Sequence, residues 1–581
     1  MVPKRAAVAR PPARGWWAPL CLAVAVAGFV VTLYPGALGL PLVTDDYLIL
    51  HKVRDASFLS LWSRSELLSG FYRPWARELH YWTLFHRFGA EPLPFHLACF
   101  LLWFGIVALY FVLVRRLAGT AAAALAACLA LTMAPWGVLL IWSAGAQDLW
   151  MMGLALLSLV MFSSGRVLWA SLTFALSLLS KETAATLPAI AALYAWIVER
   201  MPLRATLRRT APLWGIVIAW ALFHPMLGGR LGGGPAPAPP PPGWEAPAPA
   251  ARLVASLGTI VNAGFLPRPA DGWRQVLVTS LPAAALLVAT VLAGLRAGAA
   301  PGDAPGTRAA PARVGAWAAA WALLGWLPLL MPGVGFQPYY ALWGGLGAWC
   351  ALSIGLARWR IPAVLTVIAL SFLRTASAWT PQTNMGSEWY QTHSAAVTEA
   401  VHRDLREHRA SFPPHSRVFL AGVPGGAGLL PAPGHCPALE VWYSDPTLRG
   451  YFFSQYAPRA ASDTLGGDFF FVFGADGRST EIIRGPEDLE RAREDPAWLS
   501  RHLELASTLF SKGDRRACAE EFEKMTQAYP TDPALWFDLG ACYESLGEHA
   551  HAEACDRNAL ALPGATPEMR AIARRDWGTA P

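Results

Sequence analysis

The strongest constraint on this chain is a succession of apolar runs, five of them closed by arginine, along residues 16–379. Trp16–Tyr34, at 1.5 Å per helical residue, is long enough to cross ~30 Å of hydrocarbon. Ten further runs follow: Pro94–Val114, Ala118–Ala134, Leu149–Phe162, Val167–Leu179, Thr183–Val198, Pro212–Leu227, Gln275–Leu295, Val314–Met331, Tyr339–Ala357 and Ile361–Trp379. Charged residues make up 15% of the chain and hydrophobic ones 54%. Soluble proteins sit near ~25% charged. The 27 Trp residues suit long membrane–water interfaces. The expected fold is a polytopic α-helical membrane protein with about eleven transmembrane helices. The first run could be a signal peptide, but no clear small-x-small site precedes the Asp pair and many spans follow, which favours an uncleaved anchor.

The basic residues set the expected orientation. Lys4, Arg5, Arg10 and Arg14 precede the first run, which places the N-terminus in the cytoplasm and the loop 36–93 outside. Counting spans alternately, Arg115, Arg116, Arg166, Arg200, Arg204, Arg208, Arg209, Arg296, Arg358 and Arg360 all fall inside. The soluble tail then falls outside, beyond the cytoplasmic (inner) membrane. The net charge of +7 reads as orientation charge, and no nucleic-acid partner is expected. Cys21, Cys99, Cys128 and Cys350 lie in apolar runs, whereas Cys436, Cys518, Cys542 and Cys555 lie in the tail. None has zinc-site spacing. An external tail would permit a disulfide among Cys518, Cys542 and Cys555, without selecting a pair.

Three domains are expected. Residues 1–379 form the transmembrane part, with Pro/Ala-rich Gly232–Ala250 as an outer lid or tolerated insertion and Ala297–Ala312 as an inner linker. Residues 380–490 read as a small α/β soluble domain: a helix over Ser387–His408, strands over Arg417–Val423 and Phe469–Phe473, and a hairpin across Phe469–Ile483. Residues 491–581 read as about two tetratricopeptide repeats. Trp536, Leu539, Gly540, Tyr543, Gly547, Ala552 and Ala559 keep that spacing, and Leu505, Gly513, Phe522 and Pro530 match one repeat earlier. Two repeats are too few to stack alone, so they dock on the preceding domain or on a protein partner.

Polar residues at span ends are rare and tend to be functional. The outer side collects Asp45-Asp46, Tyr72-Arg73, Arg77, Glu78, His80, Gln147-Asp148, Lys181-Glu182, His224 and Tyr339-Tyr340. Asp45 or Asp46 could act as a general base on an acceptor hydroxyl, could hold a divalent cation such as Mg or Mn, or could cap the following helix. Arg73 offers a planar fork suited to phosphate, or snorkels to water. Lys181 could meet a phosphate or pair with Glu182. Tyr339-Tyr340 could line a site or form part of an aromatic belt.

Several ordered segments carry a family resemblance. The acidic pair directly after the first span resembles the GT-C type glycosyltransferases, which include the protein O-mannosyltransferases. Phe71-Tyr72-Arg73-Pro74, Leu84-Phe85, Phe88-Gly89, Pro92 and Phe95-His96-Leu97 resemble a YRP…LFG…P…HL signature. That signature belongs to membrane proteins coupling a mannosyltransferase-like module to tetratricopeptide repeats. Trp142 with Gln147-Asp148-Leu149, and Ser180-Lys181-Glu182 with Leu187-Pro188, resemble two further segments of the same proteins. The chain departs from them in two places: Gly145-Ala146-Gln147 lacks the Arg that precedes the family's Asp, and Gln337-Pro338 precedes the Tyr pair where relatives often carry Arg-Tyr.

The resemblance implies a GT-C-like membrane domain and transfer of a mannose-like sugar from a polyprenyl-phosphate donor to a protein or glycan hydroxyl at the outer membrane face. It makes Asp45 or Asp46 the base or metal ligand. Tyr72, Arg73, Asp148, Lys181, Glu182, Tyr339 and Tyr340 become substrate-binding residues. Two other classes compete: a non-catalytic membrane scaffold whose repeats recruit envelope partners, and a transporter or flippase, which the lack of an inverted repeat disfavours. The topology has a direct test. An impermeant amine reagent added to spheroplasts should modify Lys512 in the tail, whereas labelling only after lysis would break the eleven-span count.

Overall fold

The computed structural model describes residues 26, 28, 34, 36–64, 67–224, 249–262, 310–330, 336–379, 381, 385–425, 436–460, 463, 465–483, 485 and 488–578. The expected first span, the span over Gln275–Leu295, most of both linkers and Cys21 lie outside the described residues. The chain divides into two units, Met1–His393 and Ser394–Pro581.

The first unit is helical. Helix Asp45–Arg54 starts the loop region, and a π-helical turn, Pro74–Leu79, runs straight into helix His80–Phe88. Helices follow at Pro92–Ala118, Thr120–Leu131, Ala146–Ser163, Val167–Leu178 and Leu203–Phe223, then at Pro311–Trp326, Leu342–Leu356 and Arg360–Trp379. Three stretches among the described residues, Pro92–Ala118, Ser143–Ser163 and Pro311–Leu330, are long and apolar enough to cross a membrane by length and composition. Thr120–Leu131, Val167–Leu178 and Glu182–Val198 are shorter apolar helices. Leu101, Leu168, Trp169, Leu222, Ile361 and Phe372 stand outward and exposed. Water-facing surfaces seldom carry so many large apolar side chains, and a lipid-facing one requires them. The unit is a membrane domain.

Several boundaries differ from expectation. The run Ala118–Ala134 holds helix only over Thr120–Leu131, because the chain turns before Pro135 and restarts as Trp136–Ile141. Such a helix is ~18 Å long, short of the bilayer core. The span expected at Pro212–Leu227 begins instead at Leu203, with Pro212 inside it. Its first turns carry Arg204, Arg208 and Arg209. Arg209 pairs with Glu199, donates to the Phe162 carbonyl at 2.6 Å and lies over the Phe162 ring. These arginines are therefore part of the helix rather than a flanking loop. Helix Pro249–Ile260 has no counterpart in the sequence reading.

Small residues set the closest helix packing. Between Pro311–Trp326 and Leu342–Leu356, a Cβ on Gly325 would stand 2.7 Å from the Gly344 backbone, and one on Gly347 would stand 2.6 Å from the Ala322 nitrogen. Backbones can approach this closely only without side chains, the usual device where no hydrophobic effect joins helices in lipid. The Trp326 indole N–H donates to the Ala341 carbonyl at 2.9 Å, and the Tyr110 hydroxyl donates to the Leu346 carbonyl at 2.7 Å.

The second unit contains most of helix Glu388–His408 and a four-stranded sheet. The strands are β1 (Arg417–Ala421), β2 (Arg449–Phe452), β3 (Asp468–Phe473) and β4 (Ser479–Ile482), in the order β2-β1-β3-β4. β1 pairs in parallel with β2 and β3, and β3–β4 is the expected antiparallel hairpin, turning at Gly477 with φ +77°. Phe419 stacks on Phe470 at 5.0 Å and on Tyr451 at 5.4 Å. Helices Trp498–Ser511, Arg515–Ala528, Pro533–Ser545, His549–Ala561 and Pro567–Trp577 follow, where a helical repeat region is expected. Asp514, Asp532 and Thr566 cap three of them. His502 lies 2.8 Å from both Asp488 and Glu521 inside this unit, stacked on Trp498. One apolar core joins Phe419 and Phe470 of the sheet to Leu505, Met525 and Leu539 of the helices.

Gly344→Ala tests the glycine contact. Its new methyl would meet Trp326 Nε1 at 2.3 Å and the Ala322 carbonyl oxygen at 2.7 Å. Thermal unfolding in detergent should show a loss of ~1–3 kcal/mol, whereas Gly315→Ala, in open space on the same helix pair, should lose far less.

Candidate active site

The site is built on the loop between Val43 and Phe88. Thr44 has φ 49° and ψ −113°, an outlier for a β-branched residue, and its buried hydroxyl finds no hydrogen-bond partner among the described residues. Strain of this kind costs ~1–3 kcal/mol and persists where surrounding contacts over-determine it. Asp46 supplies those contacts. Its Oδ1 accepts from the Tyr81 hydroxyl at 2.6 Å and from the Ala144 N–H at 2.8 Å, and its Oδ2 accepts from the Val43 N–H at 2.9 Å. One fully buried carboxylate thus ties the loop to helix His80–Phe88 and to the turn Ser143–Gly145. Gly145 permits that turn, since a Cβ there would stand 2.8 Å from Leu139 Cα.

Asp45 differs from its neighbour. It is only partly buried and accepts no hydrogen bond among the described residues. Partial desolvation raises its carboxyl above the ordinary range, and the Arg77 and Arg73 charges oppose that rise. The two aspartates therefore differ in their surroundings: Asp46 ties three parts of the unit together, and Asp45 is only partly covered. Asp46 turns both oxygens to protein donors, and no group of three His, Cys, Asp or Glu among the described residues could hold a metal. No step is assigned to a metal ion.

Arg73 and Lys181 both carry carboxylates. Arg73 donates through Nε to both Glu182 oxygens at 3.0 and 3.1 Å, and through Nη2 to Glu182 Oε2 at 2.7 Å. Its Nη1 donates to Gln147 Oε1 at 2.8 Å, and the guanidinium lies 4.3 Å from the Phe71 ring centroid. One hydrogen on each terminal nitrogen is left for a ligand oxygen. Lys181 Nζ donates to the Asp148 oxygens at 2.7 and 2.6 Å and lies over Tyr340 at 4.7 Å and Tyr339 at 5.1 Å.

Six of the expected residues fall into two adjoining sets: Arg73 with Glu182, and Lys181 with Asp148, Tyr339 and Tyr340, the two meeting where Arg73 bonds Gln147 beside Asp148. Tyr72 instead donates to the Trp62 carbonyl at 3.1 Å and meets the His224 ring edge-on. A second buried charge cluster lies on the π-helical turn, where π geometry often marks function. Glu78 Oε1 accepts from Lys52 at 2.9 Å and from Arg77 Nε at 2.9 Å, while Arg77 Nη2 also donates to the Phe71 carbonyl at 2.7 Å. Sequence reasoning left Arg77 and Glu78 without a role, and it gave none to Lys52, Tyr81 or Thr44. The Asp46–Tyr81 and Asp46–Ala144 contacts span 35 and 98 positions, and no local pattern announces them.

No protein-family model matches the chain, and no curated protein matches it. Among solved structures, the crystal structure of ArnT from Cupriavidus metallidurans bound to undecaprenyl phosphate matches at TM-score 0.44 and 13% identity, over 75% of this chain and 86% of that one. The apo structure of ArnT matches at 0.43 and 14%, over 75% and 85%. At this degree of similarity neither likeness bears on the chemistry.

Burial pushes the Asp46 carboxyl from 3.8 up to about 7, against the opposing hydrogen bonds from Tyr81, Val43 and Ala144. The folded state therefore binds this proton more tightly than the unfolded chain does. The contribution is fully present below about pH 4 and is lost as pH rises through about 7. Tm measured in detergent should fall across that window, and Asp46→Asn should flatten the fall. An equally steep D46N curve would show that another group is responsible.

Proposed function

We propose that the chain is a GT-C type glycosyltransferase of the outer membrane face. It moves a mannose-like sugar from a polyprenyl-phosphate donor to a hydroxyl of a protein or glycan. The observation that carries the reading is Asp45: a carboxylate without a hydrogen bond among the described residues, held by a strained Thr44 and a fully bonded Asp46, within the fields of Arg73 and Arg77. The ordered motif resemblance and the membrane character of the first unit support it.

In this reading Asp45 takes the proton of the acceptor hydroxyl as its oxygen attacks the anomeric carbon. The bond between that carbon and the lipid-phosphate oxygen breaks, and the phosphate leaves with the electron pair. The remaining N–H groups of Arg73 and the ammonium of Lys181 receive that charge. Their carboxylate partners keep the cations oriented and desolvated at low cost until the phosphate arrives. Tyr339 and Tyr340 wall the Lys181 side with aromatic faces.

The test compares Asp45→Asn with wild type, using purified protein, a polyprenyl-phosphate sugar and envelope acceptors. Asp45→Asn should fold normally and lose about 100-fold or more in transfer rate. Mass spectrometry of envelope proteins and glycans should lose the same modification in cells carrying D45N. Unchanged envelope glycosylation in those cells would favour the non-catalytic scaffold, whose repeats would then carry the function.

A further inference from the structure

We propose that Cys518 and Cys542 form a disulfide that staples two helices of the tail, and that Cys555 remains a thiol. This goes beyond the transferase reading and does not depend on it. Cys518 lies on helix Arg515–Ala528 and Cys542 on helix Pro533–Ser545. Their Sγ atoms are 2.9 Å apart, and both side chains are buried in the core of the second unit. A disulfide bond is ~2.05 Å long. The sulfurs therefore need less than ~1 Å of further approach, within the play of two χ1 angles.

Small residues flank each sulfur. Ala517 and Ala519 flank Cys518. Gly540 lies two positions before Cys542, and a Cβ there would stand 2.7 Å from Asp556 Oδ1 and 3.4 Å from Cys555 Cβ. Cys555 thus packs against Gly540 through its Cβ, and it is a free cysteine, whereas Cys518 and Cys542 face each other. The geometry selects one pair out of the three that the sequence permits.

The step balances with a thiol–disulfide oxidant of the dithiol/disulfide class. Two S–H bonds break, one S–S bond forms, and two protons and two electrons pass to the oxidant's disulfide, which becomes two thiols by way of a mixed disulfide. Both sulfurs are covered in the folded unit, so exchange takes place while the helices are packing or have opened. The closed loop spans 24 positions. The staple restricts the unfolded ensemble, which raises the temperature at which this unit melts.

Full-length protein extracted from membranes is denatured and alkylated with iodoacetamide, then reduced and alkylated with N-ethylmaleimide. In the peptide mass spectrum Cys518 and Cys542 should carry the second label and Cys555 the first. A non-reduced digest should contain the Cys518–Cys542 cross-linked peptide. First-label modification of Cys518 and Cys542, or a cross-link through Cys555, overturns the proposal. On reduction, the Tm of the tail in the full chain should drop by about 10 °C. Cys518→Ala with Cys542→Ala should start at the lower Tm and not respond to reductant. An equal response in that double variant would also overturn the assignment.

Discussion

A buried carboxylate can be kept in a protein interior only if donors surround it, and the candidate site depends on that requirement at Asp46. Its three donors come from Val43, Tyr81 and Ala144, which belong to three separate parts of the first unit. Satisfying one side chain therefore fixes the loop, the helix that follows the π turn and the turn that leads into Ala146–Ser163. With that triangle set, Thr44 is held in a conformation it would not adopt alone, and Asp45 is left without a hydrogen-bond partner among the described residues. The division of labour between adjacent aspartates is a consequence of packing, since the two residue types are identical.

The same rule governs the cations. Desolvating a guanidinium or an ammonium is costly, so Arg73 and Lys181 stand in the site only because Glu182 and Asp148 stand with them. Paired charges of this kind have oriented donors and little net charge. They suit a ligand that brings its own negative charge late in a reaction. Gln147 continues the logic, since its amide oxygen takes the Arg73 nitrogen that the carboxylate leaves over. A site in which every cation has a carboxylate also suits a structural role, and only transfer by Asp45 separates the two.

Much of the architecture was legible in the chain. Apolar runs of sufficient length marked Pro92–Ala118, Ala146–Ser163 and Pro311–Trp326, because hydrophobicity is a local property of the residues. The β3–β4 hairpin was legible from its apolar aromatic run and its Asp476-Gly477 turn. Strand β2 was not, because Arg-Gly-Tyr-Phe carries no pattern of its own and becomes a strand only by pairing with β1. Pro212 misled the reading of its helix, since proline at a helix start and proline within a lipid-exposed helix look alike in one sequence.

What the sequence determined by itself was the class of molecule and the inventory of chemistry: membrane helices, an acidic pair, two basic residues with acidic neighbours, and a tail with repeat spacing. These follow from composition and short-range order. The tertiary structure decided which aspartate is available, which carboxylate holds which cation, and which of three tail cysteines face one another. Those outcomes depend on contacts between residues tens to more than a hundred positions apart, such as Arg73 with Glu182 across 109 positions. Such pairings exist only after the helices have packed, so no window of local sequence encodes them.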